Sequence, residues 1–565
     1  MTNWLKSLLQ DVTKMLTVKM ARSSRAGISK AQQCINKSSL MQRGMFSNFK
    51  GSFSRRSYTE GRKKTINSFN WNSRISTRLG YRGFANIGNL AVLQALTSTK
   101  ARARSSLFGI NIRSSSKEPW MMSDEEVMDI ITKNECEGKL QGGIVSRFES
   151  NLLPSNEPTE DRRFVTRLLH DREALLFGVL DGHGGNSCAH NVAQRLSDYI
   201  GLALLPNEIL LGSTLKNYLC AKHFLVSNAP NNYNYREDPV CYENLKNYFL
   251  ELRRVQKRHH SGDSVAPTLA HLQETHGHQA AAAEAKEEQV FQTMAALSKA
   301  FLRLDDNLSH EALSQGDNQE ANEHKFKSAT SGACALVAYI KGTELTVANC
   351  GDCRAVLGVQ SEDGQWSALQ LSTDHTAANP SEVQRVLSEH PVEEASTCLK
   401  HGRLLGRLAP LRAFGDAKFK WSKKKQDKVF HERGLKSLSD AKEFLTPPYL
   451  TAEPEVTSYQ LQCSDKFLIL ATDGLWDMLS KEEAVDFVRD NLQRHNPGYS
   501  ITYQEQKSAC NVENSASCLI KAALGGEDHV SVSTSLSIPY PDVRMYRDDI
   551  TVTVVHFDWS NVAVE

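Results

Sequence analysis

Four apolar stretches of the sequence each have an aspartate at one end, and these aspartates are the residues whose spacing suggests chemistry. "LLFGVL" leads into Asp181, "LTVANCG" into Asp352 and "FLILAT" into Asp473, while "ITVTVV" follows Asp548 and Asp549. A single acid beside an apolar run is an ordinary turn residue. Several carboxylates gathered at strand ends repel one another, so this pattern predicts a compensating cation.

The types of donor atom indicate which cation this would be. Aspartate oxygens, backbone carbonyls and water are the ligands that Mg²⁺ or Mn²⁺ takes, whereas zinc prefers nitrogen and sulfur. Asp181 is followed by Gly182, whose missing side chain would let its carbonyl approach a metal closely. The sequence lacks a GxxxxGK[ST] motif, so nucleotide hydrolysis through a P-loop is unsupported. A two-metal carboxylate site without that motif favours hydrolysis of phosphate esters.

The residues around these acids predict the elements that must position them. "GACALVAYI", "TELTVANCGD", "DKFLILATDG" and "DDITVTVVHF" are short, rich in β-branched residues and typical of strands. "SDEEVMDIITKNE", "NSCAHNVAQRLSDYIGLALLP", the stretch from Val290 to Leu308 and "EEAVDFVRDNLQRH" show helical periodicity. Strands and helices come partly in blocks, which predicts an α+β fold with mainly antiparallel sheets. In this prediction Asp181 and His183 lie in a turn after their strand.

The net charge of +2 conceals two regions of opposite charge. Residues 1–117 contain 22 of the 67 Lys and Arg but only two of the 65 acids, which leaves 45 basic and 63 acidic residues in 118–565. The beginning of this basic arm also places apolar residues at steps of four opposite lysines, which is typical of a mitochondrial transit segment. A nucleic-acid-binding arm and an inert tail are the alternatives. We predict a targeting segment and arm at 1–117, with an unknown cleavage site, and a catalytic domain at 118–565.

Other features of the sequence are less specific. No run of 18 apolar residues occurs, so no membrane span is predicted. Cys350 and Cys353 form a CxxC, which could be a redox pair or half of a zinc site. No second CxxC accompanies it, so we favour two small residues around a tight turn. Residues 256–287 are polar and rich in His and Ala, which predicts a solvated insertion rather than a metal-binding tract.

An ordered set of segments between about residues 140 and 557 resembles a known family. "VLDGHGG", "SGACA", "CGDCRAVLG", "TDHTA", "RAFGD", "LATDGLWD" and "RDDITV" occur in the order and approximate spacing of the metal-dependent protein serine/threonine phosphatases of type 2C. The resemblance implies that family's αββα sandwich, in which two packed, mainly antiparallel sheets are flanked by helices. "EPTEDRR", "RLLGRLAPLRAFGDAKFKW", "TPPYLTAEPEVT" and "RMYRDDITV" resemble the mitochondrial pyruvate dehydrogenase phosphatase branch of the family.

The resemblance implies a role for each acid at the strand ends. Asp181 would bridge two Mg²⁺ or Mn²⁺ ions, the Gly182 carbonyl would bind one of them, and Asp473 and Asp548 would complete the protein ligands. Asp549 is the less favoured of the two adjacent acids, because only one is needed there.

The remaining family positions imply how the reaction would proceed. Glu160 and Asp161 would hold waters on the metals, and Asp352 matches an additional, weaker metal site. Two metals lower the pKa of a bound water, which would attack phosphoserine. His183, two residues beyond Asp181, would give the leaving serine its proton as general acid.

The sequence also departs from the family pattern. Asn156 stands where many members have an arginine that clamps the phosphate, and an amide cannot replace a charged, bidentate guanidinium. Asn156 is therefore only a candidate phosphate contact, and recognition must lean more on the metals and on other donors. Cys334 and Cys353 replace the family's usual threonine and serine, and neither change removes a proposed metal ligand.

The function implied by the resemblance is dephosphorylation of the E1α subunit of pyruvate dehydrogenase in the mitochondrial matrix, which would reactivate that complex. It also implies Ca²⁺-dependent docking on a lipoyl domain of the acetyltransferase core and a flavoprotein regulatory subunit, with no nucleic-acid partner. Three alternatives remain open: a phosphatase for a related 2-oxoacid dehydrogenase, a non-catalytic binding module with the same fold, and a thiol or zinc protein acting through the CxxC.

Overall fold

The computed structural model of the chain describes residues 121–560, apart from 169–170, 172, 221–222, 229–233, 261–277, 315–317, 439–440, 442–443 and 496–512. The predicted targeting segment and basic arm at 1–117 lie outside the described residues. So does the middle of the predicted His- and Ala-rich insertion, whose two ends are helical.

Fifteen strands lie in the described residues. In chain order they are β1 (Cys136–Lys139), β2 (Val145–Leu153), β3 (Arg162–Arg167), β4 (Leu175–His183), β5 (His223–Ser227), β6 (Gly332–Lys341), β7 (Glu344–Cys350), β8 (Arg354–Gln360), β9 (Trp366–Gln370), β10 (Leu399–Lys400), β11 (Arg403–Leu404), β12 (Phe414–Gly415), β13 (Glu455–Gln460), β14 (Asp465–Ala471) and β15 (Ile550–Phe557).

Most of these strands form two antiparallel sheets. The first sheet has the order β1-β2-β15-β14-β8-β9, and the second has the order β13-β7-β6-β4-β3-β5, with the short β12 paired to β6. All the ladders within the two sheets are antiparallel. Only β10 and β11 stand apart, as a two-stranded hairpin. The predicted antiparallel α+β architecture is therefore confirmed.

The described helices complete the fold. In chain order they are α1 (Asp124–Thr132), α2 (Ser187–Ala203), α3 (Asn207–Gly212), α4 (Leu215–Cys220), α5 (Pro239–His260), α6 (His278–Glu311), α7 (Gln319–Thr330), α8 (Pro380–Ser388), α9 (Ala395–Cys398), α10 (Ala417–Lys420), α11 (Lys423–Gln426), α12 (Asp473–Trp476), α13 (Lys481–His495), α14 (Ser515–Ala523) and α15 (His529–Ser537). None of them combines the length and the apolar composition needed to cross a membrane.

Alternation along the strands divides the core into three layers. In β4, Leu175, Phe177 and Val179 pack between the two sheets, while Leu176 and Leu180 pack against helices α2, α5 and α6. Successive side chains of a strand point to opposite faces, so a strand buried on both faces reads as a continuous apolar run. Helices α1, α13, α14 and α15 cover the outer face of the first sheet in the same way. The result is a sandwich of helix, sheet, sheet and helix layers.

The sequence predicted several of these elements and misplaced the end of one. Ser123 caps α1 as predicted, in a reciprocal pair of hydrogen bonds with Glu126. The predicted turn after "LLFGVL" is wrong, because β4 continues through His183, with Asp181 paired to Cys334 and His183 paired to Gly332. The backbone N–H and C=O groups of this Gly-rich stretch, as far as His183, form hydrogen bonds with β6, so the stretch extends the strand and does not form a turn.

A buried ion pair fastens α2 to the end of α6 and gives a test of the packing. Arg195 donates two hydrogen bonds of 2.6 Å to Glu311, and their side chains are 1% and 2% exposed. Glu311→Gln should lower the free energy of unfolding by about 3–5 kcal/mol, because it leaves the guanidinium charge buried without its counterion. Urea denaturation measures this change.

The control for that experiment is an ion pair at the surface. Glu323 accepts a hydrogen bond from Arg433 at 2.9 Å, but its side chain is 47% exposed. Glu323→Gln should therefore cost at most about 1 kcal/mol. Equal losses of unfolding free energy in the two variants would show that burial does not make the Arg195–Glu311 pair more important for stability than a surface pair.

Candidate active site

Strand β4 carries two of the predicted site residues on one side. Asp181 and His183 continue the row of Phe177 and Val179, because alternate residues of a strand share a face. Gly182 lies between them against the chain at Glu160, where a Cβ would come within 2.4 Å of the Glu160 carbonyl oxygen. Only glycine allows this close approach, so the strand and the loop before β3 meet at Gly182.

Three of the predicted acids converge on one point. Asp181, Asp352 and Asp473 each offer a carboxylate oxygen within 4.8 Å of the other two. They come from the end of β4, the turn between β7 and β8, and the start of α12. Asp352 was predicted as part of an additional, weaker site, yet the structure groups it with Asp181 and Asp473.

Burial and mutual repulsion act on these three carboxyl groups. Both raise the pKa of Asp181 well above its ordinary value, with Asp473 as the neighbour of largest effect. The pKa of Asp352 is also raised, mainly by burial. Burial, followed by the charge of Asp352, raises the pKa of Asp473 to about 8. In the protein alone these groups therefore resist ionisation together at neutral pH.

The same arrangement fits a divalent cation. Oδ1 of Asp473 is buried without a hydrogen-bond partner among the described residues, so one oxygen of the cluster is unsatisfied by the protein. Carboxylate oxygens at this spacing are the donors of Mg²⁺ and Mn²⁺ sites. A bound cation would supply the charge that ionisation of all three groups requires.

The predicted pair Glu160 and Asp161 borders this cluster. Asp161 is 1% exposed, and its Oδ2 accepts a hydrogen bond of 3.0 Å from the Thr472 hydroxyl, next to Asp473. Glu160 accepts one of 2.5 Å from the backbone N–H of Gly185. Burial raises the pKa of both carboxyl groups, and the charge of Asp549 adds to the effect. The two acids are thus fixed beside the cluster by the loop that follows β4 and by the turn that begins α12.

The two adjacent acids before β15 have different surroundings. Asp549 is 2% exposed and accepts hydrogen bonds from the loop before β3, through the backbone N–H groups of Ser155, Asn156 and Glu160 and through the Asn156 and Thr159 side chains. Asp548 is partly exposed, pairs with Arg544, and its charge acts on Asp181 and Asp473. Asp549 is therefore occupied in holding the loop, which supports the choice of Asp548 as the metal ligand.

Asn156, the candidate phosphate contact, is also occupied. Its Nδ2 donates to Glu160 at 3.2 Å and to Asp549 at 3.0 Å. An amide group has two N–H donors, and both are used within the protein. The described geometry gives Asn156 a role in shaping the loop, and its contact with phosphate stays a prediction.

His183 has a buried acidic partner that no local motif indicates. Its Nε2 lies 2.6 Å from Oδ2 of Asp416, a carboxylate 1% exposed. Burial alone would lower the pKa of His183, but the charge and the hydrogen bond of Asp416 outweigh it, so the pKa is raised. The pair passes over Gly332 of β6, where a Cβ would fall 2.0 Å from Nε2. The arrangement favours a protonated imidazole with a fixed ring.

Asp416, Arg544 and Thr472 were missed as site residues, although "RAFGD", "RMYRDDITV" and "LATDGLWD" were noted as segments. Asp416 has φ 49° and ψ 42°, the left-handed conformation that Asp and Asn adopt more readily than most residues. An acid directly after a glycine in "FGD" was the only local signal. Its partner lies 233 positions away, which a motif does not reveal.

The CxxC does not form a site. Both thiols are free, and Cys350 packs with the helix-covered core whereas Cys353 packs between the two sheets. Burial raises the pKa of Cys350 to about 12 and that of Cys353 well above its ordinary value. Thiols held protonated and on opposite faces of the chain are unsuited to redox pairing or to shared zinc binding.

Comparison with known proteins gives consistent matches. The sequence profile described as Protein phosphatase 2C matches residues 245–518. The mitochondrial pyruvate dehydrogenase (acetyl-transferring) phosphatase 1 of Bos taurus is 38% identical over 486 residues, covering 79% of this chain and 84% of that protein. The mitochondrial pyruvate dehydrogenase (acetyl-transferring) phosphatase 2 of Homo sapiens is 35% identical over 480 residues, covering 78% and 84%.

Among solved structures, a serine-threonine phosphatase 2C from Toxoplasma gondii is similar to this chain at 16% sequence identity. The alignment covers 75% of this chain and 99% of that one, with a TM-score of 0.39.

Proposed function

The chain belongs to the protein phosphatase 2C family, and on that premise we propose that it removes phosphate from serine residues of the pyruvate dehydrogenase E1α subunit. It is a phosphoprotein phosphatase and a mitochondrial protein, as are the relatives that it matches along most of its length. Identity spread over most of the chain, rather than limited to the acidic motifs, is the observation that carries the choice of substrate.

The acid cluster would hold two Mg²⁺ or Mn²⁺ ions. Asp181, Asp473 and Asp548 would be the direct ligands together with the Gly182 carbonyl, and Asp352 is close enough to Asp181 and Asp473 to share a cation with them. When bound, such ions activate water and neutralise the charge that develops on the phosphate.

The chain's own residues would handle the proton of the leaving group. Serine leaves as an alkoxide unless it is protonated, and His183 lies on the same side of β4 as Asp181. Nε2 of His183 is engaged by Asp416, which leaves Nδ1 as the ring nitrogen that would deliver the proton. Asp416 fixes the ring and favours its charged form.

The location and partners implied by the resemblance belong to the same proposal. They are the mitochondrial matrix, a lipoyl domain of the acetyltransferase core reached with Ca²⁺, and a flavoprotein regulatory subunit. These partners rest on the likeness to the branch alone. The low exposure of Cys350 and Cys353 and the presence of every proposed metal acid speak against the thiol and non-catalytic alternatives.

A substrate comparison tests the proposed function. The purified chain with Mn²⁺ should release phosphate from phosphorylated pyruvate dehydrogenase with a kcat/KM at least about 10-fold above that for the phosphorylated branched-chain 2-oxoacid dehydrogenase. The same reaction in EDTA should stop. A reversed preference would replace the proposed substrate by the related dehydrogenase, and turnover that persists in EDTA would contradict the metal site.

A further inference from the structure

Arg544 is a cation beside the acid cluster, where it pairs with Asp548. It lies in the 3₁₀ turn Asp542–Met545, four residues before Asp548. Its Nη1 donates to Oδ1 of Asp548, and its side chain is 34% exposed. The charges of Asp548, Asp549 and Glu160 all act on this guanidinium. A positive group therefore reaches the edge of the site and remains open to solvent.

The site needs such a group. Six carboxylates border it, and two divalent cations would offset about four of their charges. They are Glu160, Asp161, Asp181, Asp352, Asp473 and Asp548. A phosphate monoester adds about 1.5–2 further negative charges at neutral pH. The position that would supply an arginine in many relatives holds Asn156, whose two N–H groups are already used.

The hydrogen bond of Arg544 to Asp548 leaves other N–H groups of the guanidinium for an anion such as phosphate. The recorded hydrogen bonds to the Asp548 side chain, from Arg544 and from the backbone N–H of Asp549, both end on Oδ1. Oδ2 of Asp548 thus remains for a metal. In the described part of the chain the guanidinium donates to Asp548 alone, although it has five N–H groups.

Arg547, the other arginine of "RMYRDDITV", is placed differently. It is less exposed than Arg544, and its Nη1 donates to the Ser155 hydroxyl at 2.6 Å. Burial lowers its pKa to about 10. It supports the loop before β3, so the exposed donors at this side of the site belong to Arg544.

We propose that Arg544 binds the phosphate group of the substrate, in place of the arginine that is missing at Asn156, while its Nη1 holds Asp548 in position. This inference rests on the proposed function, because it assigns a substrate contact within that site. A guanidinium can give two parallel hydrogen bonds to phosphate oxygens, and an ammonium cannot.

Two variants and two binding measurements test the proposal. Arg544→Gln should raise the KM for a phosphoserine peptide and the inhibition constant of inorganic phosphate by about 10- to 100-fold, the effect of losing a charge-assisted hydrogen bond. Arg544→Lys should fall between this variant and the unmodified protein. Titration calorimetry with Mn²⁺ alone measures the hold of Arg544 on Asp548, and losing that contact should weaken Mn²⁺ binding by up to about 10- to 100-fold. KM and phosphate inhibition are therefore compared at saturating Mn²⁺.

Arg489→Gln is the matched control. Arg489 is also partly exposed and paired with an acid, Asp486, but it lies on α13 and outside the site, so its KM and phosphate inhibition should not change. An unchanged KM and phosphate inhibition in Arg544→Gln would overturn the proposal. A loss of Mn²⁺ affinity with unchanged phosphate inhibition would also overturn it, because Arg544 would then only hold Asp548.

The same measurements separate this proposal from the proposed function. A protein that turns over no phosphoserine peptide would contradict the function. In that case the affinity for inorganic phosphate would still be measured by calorimetry in the presence of Mn²⁺, for the unmodified protein and for Arg544→Gln. Equal phosphate affinities would overturn the role of the arginine.

Discussion

Replacing Asp473 by asparagine is expected to abolish phosphate release while the protein stays folded. Asp473 contributes to the group of three carboxylates within 4.8 Å, and its Oδ1 has no hydrogen-bond partner among the described residues. The variant removes one charge of the cation site and keeps the side-chain shape. We expect kcat/KM to fall by about 1000-fold or more, equivalent to about 4 kcal/mol of lost transition-state stabilisation.

The folded state of Asp473→Asn should respond in the opposite direction when no metal is present. Burial and the charges of Asp352 and Asp548 disfavour an ionised Asp473, so replacing this carboxyl group by an uncharged amide should leave the melting temperature in EDTA unchanged or higher. Mn²⁺ should raise the melting temperature of the unmodified protein and should raise that of the variant far less. A ligand stabilises the folded state only to the extent that it binds, and the variant has lost one metal ligand. Differential scanning fluorimetry with and without Mn²⁺ measures both effects.

The control is a carboxylate outside the site. Asp486 is 55% exposed and pairs with Arg489 on the same helix. Asp486→Asn should retain both turnover and the Mn²⁺-dependent rise in melting temperature. Asp473→Asn with full activity, or with an undiminished response to Mn²⁺, would show that the three acids do not form the catalytic metal site.

Loss of the imidazole at position 183 is expected to have the second-largest effect. His183→Gln should lower kcat by about 100- to 10,000-fold, the contribution of a general acid that protonates a poor leaving group. The loss should be much smaller for a phenyl phosphate ester, because phenoxide is a far weaker base than a serine alkoxide and depends less on protonation as it leaves. Equal losses for the serine and phenyl esters would contradict the role of His183 as proton donor.

Asp416→Asn tests the partner of His183 through pH dependence. Asp416 raises the pKa of His183, so the protonated form persists above its ordinary range, and activity should fall as pH rises through the raised pKa. Removing the charge should move this falling limb to lower pH. Asparagine tolerates the left-handed conformation of Asp416, so the loop should keep its shape. The pH profile of kcat measures the shift, and an unchanged limb would rule out the positioning role of Asp416.

The sequence was sufficient to predict that acids at strand ends meet. Asp181, Asp352 and Asp473 each follow an apolar run of strand length, a pattern that can be read locally. The run predicts a buried strand, and carboxylates gathered at buried strand ends need a compensating charge. The α+β class with mainly antiparallel sheets followed from the strand and helix patterns, whereas the layers of the sandwich were implied only by the resemblance to the family. Strand order did not follow, since pairing is set by contacts between segments far apart in the chain.

The remaining site residues were hidden for the same physical reason. Asp416 becomes the partner of His183 only after β12 pairs with β6, and Asp549 holds a loop about 390 positions earlier. The end of β4 was misjudged because "DGHGG" is rich in turn residues, whereas its first part gains ladder partners from β6. Local propensity is overridden where tertiary pairing satisfies the backbone.

The central position of β15 has a consequence for the folding of the newly made chain. β15 lies between β2 and β14, although it follows β2 by about 400 residues, so the first sheet stays divided until this late segment is inserted. Asp548 and Asp549 lie directly before β15, and Asp549 accepts a hydrogen bond from the backbone N–H of Glu160 in the loop before β3. Closing so long a loop is slow compared with forming local structure. A chain that lacks the segment from Asp548 onward can neither complete the first sheet nor supply Asp548, so we expect a nascent chain without this segment to have no working site.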